Sequence, residues 1–430
     1  MLDRREFLIA GIGLAGEAAL PKQSLRGADL EVEKLPSARL HASDEEAYWA
    51  KLRKQFLIPR GVVFLNNASI GSSPKPVLRA IFDACEEIER VSPTDPEDYP
   101  FWGYGRPRPF SSFRDRMASF VGCTRDELAL TRSATEGINL LANGCDMKAG
   151  DEVLMTNEEH SHGEEPWHLK AKRYGTSVRK VQLPRPVSSA TQVLELFDNA
   201  ITDRTRVLFF SHITTETGVV LPVKDLCALA RGKGILSFVD GAQALGMMRV
   251  NVRELGCDAY SASAHKWLQG PKGTGMLYVR DEVIDRIWNT FASEGWDDPT
   301  LRAQRFQQFG TSNVPCLWGL KAAIQFAEEV GLERIERRHR ELADHLLEQL
   351  TLHGATSWSS PDPALRCGIV TVNVPPIQRM PLETWLWQKH RIRIRGSEPS
   401  KLRLSTAYFL QRTELDRFLE RFDEYKEHGG

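Results

Sequence analysis

Two side chains whose types and spacing could do chemistry together are Lys266 and Asp240. Lys266 lies in Ser-Ala-Ser-Ala-His-Lys-Trp-Leu-Gln-Gly-Pro-Lys-Gly-Thr-Gly, and Asp240 begins Asp-Gly-Ala-Gln, 26 residues upstream. A lysine amine can form a Schiff base with an aldehyde, and a carboxylate can hold a pyridine nitrogen protonated so that the ring withdraws electrons. The pair therefore indicates pyridoxal phosphate (PLP). Taken alone, a lysine is more often a solvated surface charge.

Four further segments carry groups that a PLP site requires. Small hydroxyl residues begin an expected helix at 131–139, where backbone amides can bind phosphate, although an ordinary helix cap is the alternative. His160 follows an expected strand and could stack on a pyridine ring and move a proton, although a histidine satisfied within its loop is the alternative. Residues 307–313 form a polar turn. Arg395 and Arg403 could grip an amino-acid carboxylate, although late arginines are commonly surface residues.

Together, and in this order, these segments resemble the class V aminotransferase family. These fold-type I PLP enzymes include cysteine desulfurases, kynureninases and isopenicillin N epimerase-like proteins, and the similarity covers roughly residues 45 to 425. The resemblance implies a catalytic group of three: Lys266 as Schiff-base lysine and general base, Asp240 as partner of the pyridine nitrogen, and His160 as the stacking residue. It also implies cofactor contacts from Ala134, Thr135, Thr215, Gln243, Ser263, His265 and Thr311.

The same resemblance implies how substrate and subunits are arranged. Arg403 takes the position of the substrate-carboxylate arginine, with Arg395 as a helper. Thr311 matches a hydroxyl that the family supplies from the partner subunit, which implies a homodimer with a shared active site. Thr215 stands where the family often has asparagine, and the segment after Arg395, Gly-Ser-Glu-Pro-Ser-Lys, has no cysteine where desulfurases carry their nucleophile. Cys367 is expected to be a small buried residue of a strand and not a nucleophile, so desulfurase activity is not expected.

Strands and helices alternate along the chain, which predicts an α/β fold with a mainly parallel sheet covered by helices. A capping Ser43 is expected to begin the first helix, which runs to residue 56. The other expected elements are strands at 62–66, 152–156, 205–212, 235–240, 275–280, 368–374 and 402–405, and helices at 76–90, 226–232, 317–352 and from Glu414 onward. The resemblance implies a large domain with a seven-stranded sheet and a smaller α+β C-terminal domain. We expect an N-terminal segment at 29–74 packing with the small domain, the PLP-binding domain at 75–310, and the small domain with its linking helix at 311–430.

The charge balance and the cysteine content limit which classes of binding partner are expected. The 430 residues include 56 basic and 57 acidic side chains, a balance that gives no electrostatic reason to expect nucleic acid or an acidic membrane. A small-molecule amino substrate fits better. Seven cysteines without C-x-x-C spacing offer no obvious zinc site and no disulfide framework, so no metal is expected.

The first 28 residues resemble a twin-arginine export signal followed by a linker. Asp3-Arg-Arg-Glu-Phe-Leu precedes a weakly apolar run, although Asp3 stands where the pattern prefers Ser or Thr and Glu17 interrupts the run. The run is too short to anchor the chain in a bilayer. The expectation is a periplasmic protein; with a frayed amphipathic N-terminus instead, it would be cytoplasmic.

The expected function is that of an aminotransferase-like PLP enzyme. It would act on an amino acid, or on an amino group of a larger metabolite, through an external aldimine and a quinonoid. The residues leave the reaction open among transamination, epimerisation or racemisation, and C–S or C–N lysis. A non-catalytic PLP-binding protein is the alternative from another class.

Overall fold

The computed structural model describes residues 30–37, 40–41, 44–91, 108–293, 295–310, 312–374, 380–395 and 400–428. The site depends on a seven-stranded sheet in the order β2-β8-β7-β6-β5-β3-β4. Its strands are Leu128–Thr131 (β2), Glu152–Thr156 (β3), Ser177–Val181 (β4), Thr205–Ser211 (β5), Leu236–Asp240 (β6), Ala259–Ser263 (β7) and Gly275–Val279 (β8).

All neighbours in this sheet run parallel except at β8, which is antiparallel to both β2 and β7. Every residue of β2, β3, β6, β7 and β8 is buried. Strands without alternating burial are covered by helices on both faces, as mainly parallel sheets require.

The helices are Glu45–Arg53 (α1), Lys75–Val91 (α2), Arg108–Val121 (α3), Ala134–Gly144 (α4), Ser161–Tyr174 (α5), Ala190–Ala200 (α6), Val223–Gly232 (α7), Val252–Leu255 (α8), Asp281–Ile284 (α9), Val314–Val330 (α10), Leu332–Leu352 (α11), Leu382–His390 (α12) and Arg412–His428 (α13). Short 3-10 turns lie at Arg125–Glu127, Pro299–Gln307 and Pro363–Leu365. Gly331, with a φ of 95°, separates α10 from α11 and so divides the helical stretch predicted at 317–352 into two helices.

Two small sheets complete the fold. Thr356–Ser357 (β9), Ile369–Asn373 (β10) and Lys401–Ser405 (β12) form an antiparallel sheet in the order β12-β10-β9. Val63–Phe64 (β1) pairs in parallel with Ile392–Arg393 (β11). The early chain is therefore hydrogen-bonded to the late chain.

The predicted fold class is confirmed: the chain is α/β with a mainly parallel seven-stranded sheet. Two local predictions were wrong. Asp44, and not Ser43, caps α1, because the Asp44 side chain accepts the N–H of Ala47; Ser43 lies outside the described residues. Cys367 precedes β10 and is not within it, although its side chain is buried as expected.

The division into domains stays a prediction. Among the described helices, none is long and apolar enough to cross a membrane. The export signal predicted at 1–28 lies outside the described residues.

Candidate active site

Most of the site residues predicted from the sequence line a single cavity of about 390 Å³. It lies where the parallel strands end, the edge of such sheets at which ligands bind. The predicted residues that line it are Ala134, Thr135, His160, Thr215, Asp240, Gln243, Ser263, His265, Lys266, Arg395 and Arg403. Thr311 lies outside the described residues. The structure thus brings eleven of the predicted positions together, and their roles remain predictions.

Lys266 lies in the loop that joins the antiparallel strands β7 and β8. Residues from the early chain hold this loop: the Gly71 N–H donates to the His265 carbonyl (2.8 Å), and the Asn67 amide donates to the Lys266 carbonyl (3.4 Å). A Cβ at Gly71 would lie 1.9 Å from the Lys266 carbonyl oxygen, so only glycine permits this approach.

The Lys266 amine is closer to neutrality than that of an ordinary lysine. Burial lowers its pKa to about 8; Asp240 opposes this shift, and Arg403 and Arg395 add to it. A neutral amine is the form that attacks an aldehyde or accepts a proton. The environment of Lys266 therefore suits both steps.

Asp240 ends β6 with its carboxylate directed into the cavity region. It is 6% exposed, and its Oδ1 accepts the N–H of Ala242 at 2.8 Å. Burial raises the pKa of this carboxyl, while the Ala242 N–H and Lys266 act in the opposite direction. A protonated pyridine nitrogen would supply the cation that such a buried carboxylate needs.

The N-terminus of α4 packs directly on β7. Ser133 caps the helix, the Ala134 N–H donates to the Ser263 hydroxyl (2.9 Å), and the Ser261 hydroxyl donates to the Ala134 carbonyl (2.9 Å). Gly137 allows the close approach, since a Cβ there would lie 2.1 Å from the Ser261 hydroxyl oxygen. The positive end of the helix and the hydroxyl-bearing side chains of Ser133, Thr135 and Ser263 thus line the cavity together, an arrangement that suits phosphate.

His160 caps α5 with its own ring. Its Nδ1 accepts the N–H of His162 at 3.1 Å, so the neutral ring carries its proton on Nε2. Burial lowers the pKa of His160 to about 4, and Lys266, His162 and both arginines add to the shift. The ring is therefore neutral at physiological pH, and it lines the cavity beside His162.

Arg403 comes from β12 and is 2% exposed. Its guanidinium donates to the Thr215 carbonyl (2.9 Å) and the Ser69 hydroxyl (3.1 Å), and its Nε has no hydrogen-bond partner among the residues that the structure describes. Burial lowers the pKa of Arg403 to about 9, which still leaves it charged at neutral pH. Within the described part of the chain no carboxylate pairs with Arg403. A carboxylate of a bound molecule would meet this need.

Arg395 already forms an ion pair within the chain. It lies 3.4 Å from the Glu216 carboxylate, which Lys401 also contacts at 2.6 Å. If Arg395 also contacts the substrate carboxylate, as predicted, it would do so while paired with Glu216.

Sequence reasoning missed two buried neighbours of these residues. Glu159 accepts hydroxyl hydrogen bonds from Thr156 and Ser211, both at 2.5 Å, and burial raises its pKa to about 8. Trp267 donates its indole N–H to the Gln243 amide oxygen at 2.7 Å. Both residues stand next to predicted site residues in the sequence, and that adjacency is the only signal the sequence offered.

The donor set fits PLP at each end of the cavity. Lys266 supplies the amine, Asp240 a buried carboxylate, α4 a helix N-terminus and Arg403 a cation that pairs with no carboxylate of the described residues. In the described residues no cluster of His, Cys, Asp or Glu is arranged to hold a metal ion.

Comparison with known proteins agrees with this chemistry. The sequence profile described as "Aminotransferase class-V" matches residues 108–411. Isopenicillin N epimerase of Streptomyces clavuligerus is 30% identical over 397 residues, which cover 88% of this chain and 98% of the epimerase. The apo structure of cysteine desulfurase from Thermococcus onnurineus NA1 has a TM-score of 0.75 at 25% identity, covering 87% of this chain and 97% of the desulfurase.

A third likeness is to C-DES with glycine covalently linked to its PLP cofactor. That structure has a TM-score of 0.76 at 23% identity and covers 86% of this chain and 98% of C-DES. The chain therefore belongs to the class V aminotransferase family of PLP-dependent enzymes, in the branch that resembles the isopenicillin N epimerases.

Proposed function

We propose that this protein removes the α-proton of an amino acid, or of an amino-acid unit within a larger metabolite, with Lys266 as the Schiff-base lysine and base. The observation that carries the proposal is that Lys266, Asp240 and Arg403 all line one cavity. PLP, when bound, withdraws electrons from the bonds at the α-carbon of an amino substrate. The three side chains supply what that chemistry needs from the protein.

Each residue acts at a defined atom. The Lys266 amine, neutral in part near pH 8, accepts the α-proton at Nζ. The Asp240 carboxylate keeps the pyridine nitrogen protonated. Arg403 binds the substrate carboxylate through a guanidinium that has no carboxylate partner among the described residues, which orients the α-carbon toward Lys266.

Epimerisation is the reaction we favour among those open to this site. The similarity to isopenicillin N epimerase spans 98% of that enzyme. Epimerisation also requires a second group able to deliver a proton, and the imidazole of His162, which lines the same cavity, is the candidate. Transamination and C–S or C–N lysis remain alternative outcomes of the same first step.

Sulfur transfer from cysteine has less support. The segment 396–399, Gly-Ser-Glu-Pro, contains no cysteine. Cys367 is buried with its thiol 3.2 Å from the Gly218 carbonyl, and burial raises its pKa to about 12, so little thiolate forms at neutral pH. Because desulfurases are among the similar proteins, cysteine belongs in any substrate panel.

The reaction can be identified by one screen of the PLP-loaded protein. D- and L-amino acids, cysteine, cystine and N-acylated peptides would be incubated in deuterated water, and products analysed by mass spectrometry and NMR. Deuterium at an inverted α-carbon indicates epimerisation, and a keto acid without free ammonia indicates transamination. A keto acid with ammonia, accompanied by sulfide when the substrate is cysteine, indicates lysis, whereas alanine formed from cysteine indicates desulfuration.

A Lys266→Ala protein run in parallel identifies products that do not depend on the lysine. If no compound changes the visible absorption of the wild-type cofactor and no product forms, the proposed catalysis is wrong. The protein would then be a PLP-binding protein without activity.

We also propose a homodimer with active sites shared between subunits. A second cavity, of about 360 Å³, adjoins the first through Ser133 and Thr135 and is bordered by Phe291. Trp288 and Trp296, in the same stretch as Phe291, are 60% and 42% exposed. Phe291, which is 38% exposed, borders the cavity that adjoins the phosphate end of the site, and the exposed aromatic side chains of this stretch support burial by a second copy.

Export by the twin-arginine route remains part of the proposal. PLP is acquired in the cytoplasm, and this route carries folded proteins, so a cofactor-loaded enzyme suits it. The test is fractionation of cells expressing the wild type and an Arg4→Lys/Arg5→Lys variant. Equal distribution of the two between cytoplasm and periplasm would contradict export through this signal.

A further inference from the structure

The side chain of Gln243 has a fixed orientation. Its Oε1 accepts the indole N–H of Trp267 at 2.7 Å, and its Nε2 donates to the Ala68 carbonyl at 3.1 Å. An amide nitrogen has two hydrogens, so one N–H remains for the cavity that Gln243 lines.

The opposite orientation of this amide is unfavourable. It would set the amide NH₂ against the Trp267 N–H, two donors, and the amide oxygen against the Ala68 carbonyl, two acceptors. Both hydrogen bonds would be lost in a buried place, since Gln243 and Trp267 are 2% and 1% exposed, and unpaired buried polar groups are costly.

The indole itself cannot easily turn away. Its ring meets His339 edge to face at a centroid distance of 4.8 Å. Gly368 packs on its other part, where a Cβ would approach the ring to 3.1 Å. Trp267 is therefore held by packing and presents its N–H in one direction.

We propose that Trp267 is a positioning residue that makes Gln243 a donor, and not an acceptor, toward the ring oxygen of PLP. The inference rests on the assignment of Lys266 and Gln243 to the cofactor and is independent of which reaction the enzyme performs. A donor at this oxygen stabilises its anion, which carries its full charge when the neighbouring Schiff-base nitrogen has no proton. Losing the donor therefore makes the nitrogen hold its proton more tightly.

The test is a spectrophotometric pH titration of the PLP-loaded protein. Trp267→Phe keeps an aromatic ring and removes the N–H. We expect the pKa of the Schiff-base nitrogen to rise by up to about 1 to 2, the limit set by complete loss of one hydrogen bond to an ionised oxygen, because the Ala68 carbonyl alone then holds the Gln243 amide. The matched control is Trp167→Phe, because Trp167 is also 1% exposed but its indole N–H has no hydrogen-bond partner in the described part of the chain.

A double substitution separates positioning from general loosening of the fold. Gln243→Met removes the amide, so adding Trp267→Phe to it should cause no further shift. If Trp267→Phe does not fold, the isostere benzothienylalanine, which has sulfur in place of the N–H, can be incorporated at position 267 and should give the same rise.

The inference is overturned if substitution of Trp267 raises the pKa of the Schiff-base nitrogen no more than Trp167→Phe does. It is also overturned if the rise is the same in proteins with and without the Gln243 amide. A wild-type protein that shows no Schiff-base absorption would instead overturn the assignment of Lys266. The two failures are therefore distinguishable.

Discussion

Lys266 differs from a surface lysine in the acidity of its ammonium group. Burial is the main cause of its lowered pKa, about 8, and Asp240 is the group that opposes the shift. Only the neutral amine attacks an aldehyde, and its fraction rises as pH passes the pKa. The cofactor-free protein should consequently capture PLP at a lower pH than a free lysine does.

We predict that the rate of PLP capture by the cofactor-free protein rises through about pH 8 and levels off above it. Stopped-flow absorbance measures this rate, with N-acetyl-lysine as the reference whose rise continues toward the ordinary lysine value. In Asp240→Asn the opposing charge is lost, so the rise should move to still lower pH. A wild-type rise centred near pH 10 would contradict the assigned environment.

Arg403 should contribute to the binding of substrates that carry a carboxylate. Removing one partner of a buried charged pair costs about 2 to 4 kcal/mol, so Arg403→Ala should raise KM by about 30- to 800-fold. Amines that lack the carboxylate serve as the matched control and should bind the two proteins equally. Equal KM values for a carboxylate-bearing substrate would mean that the carboxylate is held elsewhere.

At the scale of elements, the loop after β1 acts on the β7–β8 loop that carries Lys266. Gly71→Ala would place a Cβ 1.9 Å from a backbone oxygen that cannot rotate away, and such overpacking costs about 1 to 3 kcal/mol. We predict a lower melting temperature and weaker PLP binding, measured by calorimetry and by titration of absorbance. The control is Gly232→Ala at the end of α7, where a Cβ meets no atom within 4 Å. A Gly71→Ala protein that behaves like this control would contradict the packing described.

The elements that carry the site could be predicted because each has a local signal. The apolar run before Asp240 predicts a strand at 235–240, which the structure has as β6, and the hydroxyl residues of 131–139 predict a helix start, which the structure has as α4, Ala134–Gly144. The contacts between elements had no such signal. Asn67 meets the Lys266 carbonyl across 199 residues of sequence, and Ser263 meets the Ala134 N–H across 129, and only the folded topology brings these atoms together.

At the scale of the whole molecule, the proposed dimer can be tested with mixed subunits. Lys266→Ala removes the Schiff-base amine, and Thr311→Val removes the hydroxyl expected to reach across to the partner. If Thr311 acts on the partner's cofactor, a mixed dimer has one complete site, because the Lys266-bearing subunit receives its threonine from the other.

We therefore predict that mixing equal amounts of the two impaired proteins, after mild dissociation and reassociation, raises the activity above the mean of the unmixed proteins, because one quarter of all sites in a random mixture are complete. Activity and PLP absorbance provide the readout, and unmixed proteins treated identically are the controls. No recovery, with mixed dimers shown by mass spectrometry, would contradict a shared site.

The pairing of β1 with β11, together with Arg403 on β12, has a consequence for biosynthesis. Strand β1 (residues 63–64) cannot pair until residues 392–393 of β11 have been synthesised, and Arg403, the cation that lines the cavity, follows them in the chain. On a ribosome, which delivers the N-terminal end first, the cavity therefore stays incomplete until residue 403 has been synthesised and released from the exit tunnel. Cofactor binding would then be one of the last steps in the synthesis of this protein, and chains truncated before residue 403 would not complete the cavity.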